Sequence, residues 1–455
     1  METPFNSQSY FEKGRFIETL SETQVLVVGG GPAGIAAAIA SARVGAHTML
    51  IESAGCFGGN ITQLGVECVA WFRHEGTVEA GGLLKEIEDT AVKYHAAEPE
   101  SQALNPEYFK YVADQMLLEA GVIPLLHCYA VDAIVEDDKI TGVITESKSG
   151  RKAVFAHRVI DCTGDADIAY FAGAPFNKAS RERLMQVTPA FHVCGVDTER
   201  FLNYIYGELR PTYKDWSGCW EHGYDASSDL FSPYIEACFI QTEKAGILPR
   251  IPNTTFGGTY GTVTKDGCVN QLNVIFMSNI DCTDVFDLTR AEIEGRKNVL
   301  LAIEAMRHSL PGFENCRLRS FPMKIGARES RKIRGMHYLT GKEVMSQARF
   351  EDSIGIYPEF IDGRGLLIIP TTGRYFQVPY GSLVPRSVNN LLVAGRCISG
   401  DEIAHCAFRN MSCCILTGQA AGTAAAVSVR TGMPTQSVPV KYIQDELRKQ
   451  NVRVF

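Results

Sequence analysis

Residues 25–52 read VLVVGGGPAGIAAAIASARVGAHTMLIE, and the fold follows from that stretch. The β-branched apolar run Val25–Val28 stops at three consecutive glycines, which is the pattern of a buried parallel strand. Gly29, Gly31 and Gly34 then give the spacing G-x-G-x-x-G. In that spacing Gly29 permits a tight turn, Gly31 lets a pyrophosphate approach the backbone, and Gly34 lets the next helix lie close on the strand. Pro32 and Ala33 open a helix that runs to Val44, and its free N–H groups face the loop as an anion site. A second strand, 47–51, ends in Glu52, 21 residues after Gly31. A dinucleotide fold places an acid at about that distance (~20 residues) to meet the ribose hydroxyls of an adenosine. An acid there disfavours a 2′-phosphate, so FAD or NAD is expected before NADP. The strand before, the helix after, the second strand and the terminal acid occur together; a glycine-rich turn in an α/β domain is the alternative.

The whole chain narrows the class. Its 455 residues suffice for two or three domains, and 45% hydrophobic with 21% charged residues is ordinary for a globular enzyme. A net charge of −8 argues against a nucleic-acid partner. The charged first 22 residues do not read as a signal peptide, and Met411–Val429 is too weakly apolar for a membrane span. A cytoplasmic location is therefore expected, with no membrane partner. The 14 cysteines are scattered without a C-x-x-C, so no metal site or iron–sulfur cluster is expected. Cys413 and Cys414 read as reduced small hydrophobes on a helix, with a redox pair as the alternative.

The rest of the chain divides by pattern. Residues 1–22 form a lead-in. Ser53 follows the acid, and GCFGGNIT, 55–62, continues into a loop where Gly58, Gly59 and Asn60 can hug a planar ligand or simply turn. Residues 67–114 read as a helical insertion, with helices at 83–94 and 106–120. Its Arg73, His74 and Glu75, after Trp71 and Phe72, either line a pocket or sit on a surface loop. From 115 to 175 strand patterns return as a third sheet strand and a β-meander, closing on VIDCTGDAD with a turn at Thr163, Gly164 and Asp165. Residues 176–385 lose this rhythm and read as an α+β substrate domain. In it GARESRKIRG, 326–335, is either a solvated or domain-contact charge run or an anchor for an anion. Residues 386–440 rejoin the first domain as a strand (391–394), Gly395–Arg396, a polar loop, and a small-residue helix from about Asn410; residues 441–455 are a tail.

Taken together, GGGPAGIAAAIA, IES, FGGN, VIDCTGDAD, GARESRKIRG and NLLVAGRCIS with GQAAGTAAA resemble the FAD-dependent oxidoreductase family of glutathione-reductase-type fold. Similarity also extends to fumarate-reductase-like and GidA-type flavoproteins. The resemblance implies an α/β fold in which a Rossmann-like FAD-binding domain, 23–66, 115–175 and 386–440, carries the βαβ unit and β-meander. It implies that Gly29, Gly31 and Gly34 hold the FAD pyrophosphate and Glu52 the ribose. Gly59, Asn60 and Thr62 would run beside the ribityl chain and flavin, and the Ala130 or Val131 backbone would meet the adenine, near Thr163, Gly164 and Asp165. Gly395 and Arg396 would touch pyrophosphate and ribityl. Asn410 and Met411 would start a helix aimed at the flavin's pyrimidine edge. The chain lacks a second G-x-G-x-x-G and the basic balance of a tRNA-modifying relative.

With FAD bound, a hydride or electron pair would pass between flavin N5 and a small oxygenated organic substrate, and a proton-transfer group is then required. His405 is the first candidate and Arg409 an anchor for an anionic oxygen; a structural hydrogen bond and a salt bridge are their alternatives. His74 with Glu75 is the second pair, and Tyr375 and Tyr380 are donors or packing residues. A flavoprotein that only binds or relays electrons within a larger assembly remains open, as do an NAD-dependent dehydrogenase without flavin and homo-oligomerisation.

Overall fold

A computed structural model describes residues 12–69, 80–98, 103–208, 235–368 and 373–455. Strand β1 (Glu18–Val28) starts earlier than its apolar run, because Glu18–Thr23 already pairs with the N-terminal half of strand β6 (Gly150–Asp161). Val25, Leu26 and Val27 are fully buried. They run parallel between the C-terminal end of β6 and strand β2 (Thr48–Ile51), with β3 (Ile123–Leu125) beyond β2. Leu391–Val393 extends the same parallel sheet on the far side of β6. The other half of β6 pairs antiparallel with β5 (Lys139–Ser147), which pairs with β4 (Tyr129–Glu136). Strand β6 therefore has β1 parallel along nearly its whole length on one edge, and on the other edge the meander at its N-terminal half and Leu391–Val393 at its C-terminal end. The parallel strands end together at Val28, Ile51, Asp161 and Val393, where open α/β sheets place their ligand crevice.

Helix α1 (Pro32–Arg43) covers one face of the sheet, and helix Met411–Thr431 crosses it. The contact is possible because Gly418 and Gly422 present no side chain: a Cβ at either would overlap the carbonyl oxygen of Ala33 or Ala37. Helix Met411–Thr431 is the one described helix long and apolar enough to cross a membrane; its apolar window is 94% buried inside the fold, which makes it the core helix.

The core around that helix reaches further than the sequence pattern suggested. Helices α2 (Leu83–Lys93) and α3 (Pro106–Glu119), set apart as an insertion, bury Leu83, Ile87, Phe109, Val112 and Met116 in it, and α3 is the crossover from β2 to β3. Residues 339–384, assigned to the substrate domain, also pack there through Ile354, Ile356, Tyr357, Phe376 and Leu383. The tail forms helix Val440–Lys449 and contributes Ile443, Leu447, Val452 and Val454. Apolar residues scattered over these segments carry no local mark of which core they join. A second core spans Val187–Ile325. There an antiparallel sheet, in the order Arg317–Ser320, Phe191–Cys194, Val269–Met277 and Thr254–Thr259, packs beside helix Val285–Ser309.

Candidate functional site

The crevice at the strand ends is built from the motif outward. Gly29 adopts φ +99° and a Cβ there would meet the Cys162 carbonyl at 2.6 Å, so this turn accepts only glycine. Gly31 is different: a Cβ would find nothing nearer than the Gly59 Cα at 3.9 Å. The backbone at Gly31 is thus faced by the glycine pair of the FGGN loop, with no side chain from either strand end between them. Gly31 is also the N-cap of α1 and makes no side-chain cap, so the helix start offers its N–H groups to an anion. Gly58 N–H donates to the Gly30 carbonyl at 2.8 Å, and Thr62 Oγ1 donates to the Phe57 carbonyl at 2.7 Å, which closes the loop against the motif.

Glu52 is buried at the end of β2. Its Oε2 accepts from Gly30 N–H at 2.6 Å, and its Oε1 from Ala54 N–H at 2.8 Å and Ser53 Oγ at 3.1 Å. The carboxylate is held by backbone donors in an orientation set before any ligand arrives. Cys128 N–H donates to the Glu52 carbonyl at 3.0 Å, which brings the start of β4 beside the acid. Ala130 pairs with Thr145, and Val131 sits at the register shift that follows.

At the end of β6, Asp161 accepts from Thr163 N–H, Thr163 Oγ1 and Ala169 N–H. Burial pushes its pKa up to about 6. Thr163, Gly164 and Asp165 are tied to Gly395–Arg396: Arg396 Nη2 donates to Asp165 Oδ1 at 2.7 Å and lies over Gly164. Burial works against the Arg396 charge, and Asp165 more than offsets it. Arg396 Nη1 is buried with no hydrogen-bond partner among the described residues, a donor aimed at something the protein itself does not supply. Gly395 N–H donates to Thr417 Oγ1 at 3.0 Å, which fixes this turn to the core helix.

The start of helix Met411–Thr431 is also uncapped. Asn410 turns its side chain back to the Cys406 and Ala407 carbonyls, leaving the first-turn N–H groups without a side-chain acceptor. The polar stretch before it, expected as a loop, is helix Glu402–Phe408, capped by Asp401, which accepts from Ile403 and Ala404 N–H. His405 is fully buried on it. Its Nε2 donates to the Arg328 carbonyl at 3.0 Å, and its Nδ1 is buried without a described partner. Burial, and then the charges of Lys332, Arg409 and Arg396, hold its pKa well below 6.5, so the ring is neutral. Arg409 Nη2 bonds Asp362 at its carbonyl and at Oδ2, leaving Nε buried and unpartnered among the described residues. Arg73, His74 and Glu75 lie outside the described residues.

The charge run GARESRKIRG is a contact between domains. Ser330 Oγ donates to Asp165 Oδ1 and Arg331 Nη1 to the Asp165 carbonyl and Asp167 Oδ1. Lys332 and Arg364 both close on buried Glu329, at 2.5 and 2.6 Å. Tyr380 donates to the Thr435 carbonyl, and Tyr375 stacks under Arg349, so both tyrosines are packing residues. Cys413 and Cys414 are free buried thiols, the second pushed up to about 12 by burial. Among the described residues no group of three or more His, Cys, Asp or Glu gathers as a metal site.

Two features escaped the sequence reading. Glu67 is buried where the FGGN loop meets the second domain. Its Oε2 accepts from Thr262 Oγ1 at 2.5 Å. Thr262 in turn accepts from Asn270 Nδ2, whose Oδ1 meets Arg319 Nη1 and His192 Nδ1. Burial pushes the Glu67 pKa up to about 7, with Thr262 and Arg319 opposing. The second feature is Lys324, a second-domain lysine at the crevice. Neither belongs to a local motif, so no spacing in the chain marks them.

A glycine-faced helix start, an oriented acid 21 residues on, an unpartnered buried guanidinium nitrogen and a second uncapped helix start share one crevice, which suits a dinucleotide cofactor. A thiamine thiazole synthase of Methanococcus vannielii is 31% identical over 162 residues, which cover 33% of this chain and 59% of that protein. Among solved structures, a geranylgeranyl bacteriochlorophyll reductase-like protein of Thermoplasma acidophilum superimposes with TM-score 0.44 at 14% identity, covering 95% of this chain and 82% of that one. A p-nitrophenol 4-monooxygenase of Pseudomonas putida gives TM-score 0.45 at 13% identity, covering 94% and 84%. Residues 24–447 match the family described as FAD dependent oxidoreductase. With that match spanning both domains and every element of the crevice, the chain belongs to the FAD-dependent oxidoreductase family, an enzyme family whose cofactor is FAD.

Proposed function

We propose that the protein passes a hydride or electron pair between a small oxygenated organic substrate and FAD, and that the substrate is bound where the His405 helix and the second-domain sheet face the flavin end of the crevice. The observation that carries this reading is the pair of buried, unpartnered atoms just before the core helix, His405 Nδ1 and Arg409 Nε. One is an acceptor and the other a donor, which suits a hydroxyl or carbonyl group. When bound, FAD supplies the electron-accepting or electron-donating centre. The uncapped start of helix Met411–Thr431 favours negative charge at its end.

His405 acts in this reading as a neutral acceptor that orients the substrate hydroxyl, because three nearby cations oppose a second proton on the ring. Arg409, steadied by Asp362, donates to the substrate oxygen. Proton exchange near neutral pH falls to Glu67, the buried carboxyl whose pKa lies near 7. The two positions are linked through the second-domain sheet: Arg328, which accepts from His405, donates to Asn273, and Gln271 on the same strand holds the Glu67 and Cys68 N–H groups.

The test is anaerobic mixing of the purified protein with small alcohols, hydroxy acids and enones while flavin absorbance is followed. A substrate that bleaches the isolated protein supports the reading, and bleaching only with a partner protein present supports electron relay instead. His405→Ala should keep its flavin and be reduced at least about tenfold more slowly. Unchanged reduction kinetics would remove His405 from this role.

A further inference from the structure

Lys324 stands on the segment that the second domain lays across the FGGN loop. Met323 N–H donates to the Gln63 carbonyl at 2.7 Å, and Ile325 N–H to Glu292 Oε1 at 2.5 Å. Gly326 is bridged to Thr188 and packs so tightly on Leu64 that a Cβ there would meet the leucine at 2.6 Å. The backbone on both sides of Lys324 is therefore pinned beside the FGGN loop. Its amine makes no hydrogen bond or ion pair with a described residue. The groups whose charges act on it are Glu52, Arg396, Asp165 and Cys56, all lining the crevice at the strand ends. Burial lowers its pKa, with Glu52 and Asp165 opposing and Arg396 reinforcing. An ammonium placed near another cation, desolvated and unpaired, is costly unless an anion joins it.

We infer that Lys324 is the second domain's contribution to the cofactor site, a counter-charge to the FAD pyrophosphate that works together with the unpartnered Nη1 of Arg396. The inference rests on FAD being the cofactor and goes beyond it. The first domain alone leaves the phosphate end one-sided, with α1 and Arg396 on its own side of the crevice. Lys324 closes it from the other core, so holding FAD also holds the two cores together.

The test is titration of FAD, ADP and riboflavin onto flavin-free protein, comparing wild type with Lys324→Met and Lys324→Arg by fluorescence quenching and calorimetry. FAD and ADP share the pyrophosphate and riboflavin lacks it. Lys324→Met should weaken FAD and ADP by a similar factor, about tenfold to about a hundredfold, leave riboflavin unchanged, and be rescued largely by arginine. The loss should shrink as salt is raised. Equal affinity of wild type and Lys324→Met for FAD would overturn the inference. Loss of FAD and riboflavin with ADP retained would also overturn it, placing the lysine at the ring. A wild-type chain that takes up none of the three would sink the cofactor reading itself, a separate outcome. Circular dichroism of each variant checks that it is folded.

Discussion

Glu67 and His405 show how burial shifts two ionisable side chains in opposite directions. Desolvation raises the carboxyl to about 7 and lowers the imidazole, so near neutral pH the acid is part-protonated while the histidine stays neutral. The glutamate has a stability signature. Its folded pKa, about 7, lies above the ordinary 4.5, so between those values the folded chain holds a proton the unfolded chain has released. Stability therefore falls as pH rises through that window, by up to roughly 3 kcal/mol from this group. Asp161, raised to about 6, acts in the same direction. Glu67→Gln should flatten part of the decline, leaving the Asp161 share, when urea unfolding is followed from about pH 5 to about pH 8. The same slope in both proteins would contradict the assignment. Residues of this kind were the least legible in the sequence. Glu67 is defined by Thr262 and Asn270, some 200 positions away, and Lys324 by Glu52 and Asp165. Gly29, Gly31, Gly34 and Glu52 could be read because the turn, the helix and the acid they serve lie within 30 residues of one another.

Among the elements, the crossing of α1 and helix Met411–Thr431 has most to do with the shape of the crevice. Two glycines four residues apart let one backbone rest on the other, and this contact sets where the core helix begins and hence where its uncapped N–H groups lie. Gly422→Val would drive a side chain into the Ala37 carbonyl. The expected cost is about 3 kcal/mol, visible as a lower urea midpoint, together with weaker flavin retention. A midpoint equal to wild type would show that the helices do not depend on close approach there. The small-residue composition of 410–427 announced a tightly packed helix, but not its partner. Helix Glu402–Phe408 was read as loop because a seven-residue helix leaves little periodicity, although Asp401 stands at its start as a cap.

Across the whole molecule, two hydrophobic cores meet at the FGGN loop and the crevice. The larger gathers the parallel sheet, α1 to α3, residues 339–384 and the C-terminal helix; the smaller is the antiparallel sheet with its long helix. Ser330 and Arg331 on Asp165 and Asp167, and Met323 on Gln63, join the two at the ends of the parallel strands. Leu391–Val393 pairs parallel with β6, and the return of glycine-ended strands at 163 and 395 was visible in the sequence. The sharing of residues 339–384 was not, since tertiary contacts alone decide it. The proposed chemistry requires FAD to lie along the first βαβ unit with its ring at the start of the core helix. The most direct measurement is the absorption spectrum of the purified chain, followed by denaturation and quantification of released flavin. The expected result is a yellow protein that releases FAD at about one per chain. A chain that stays colourless after incubation with excess FAD would contradict it.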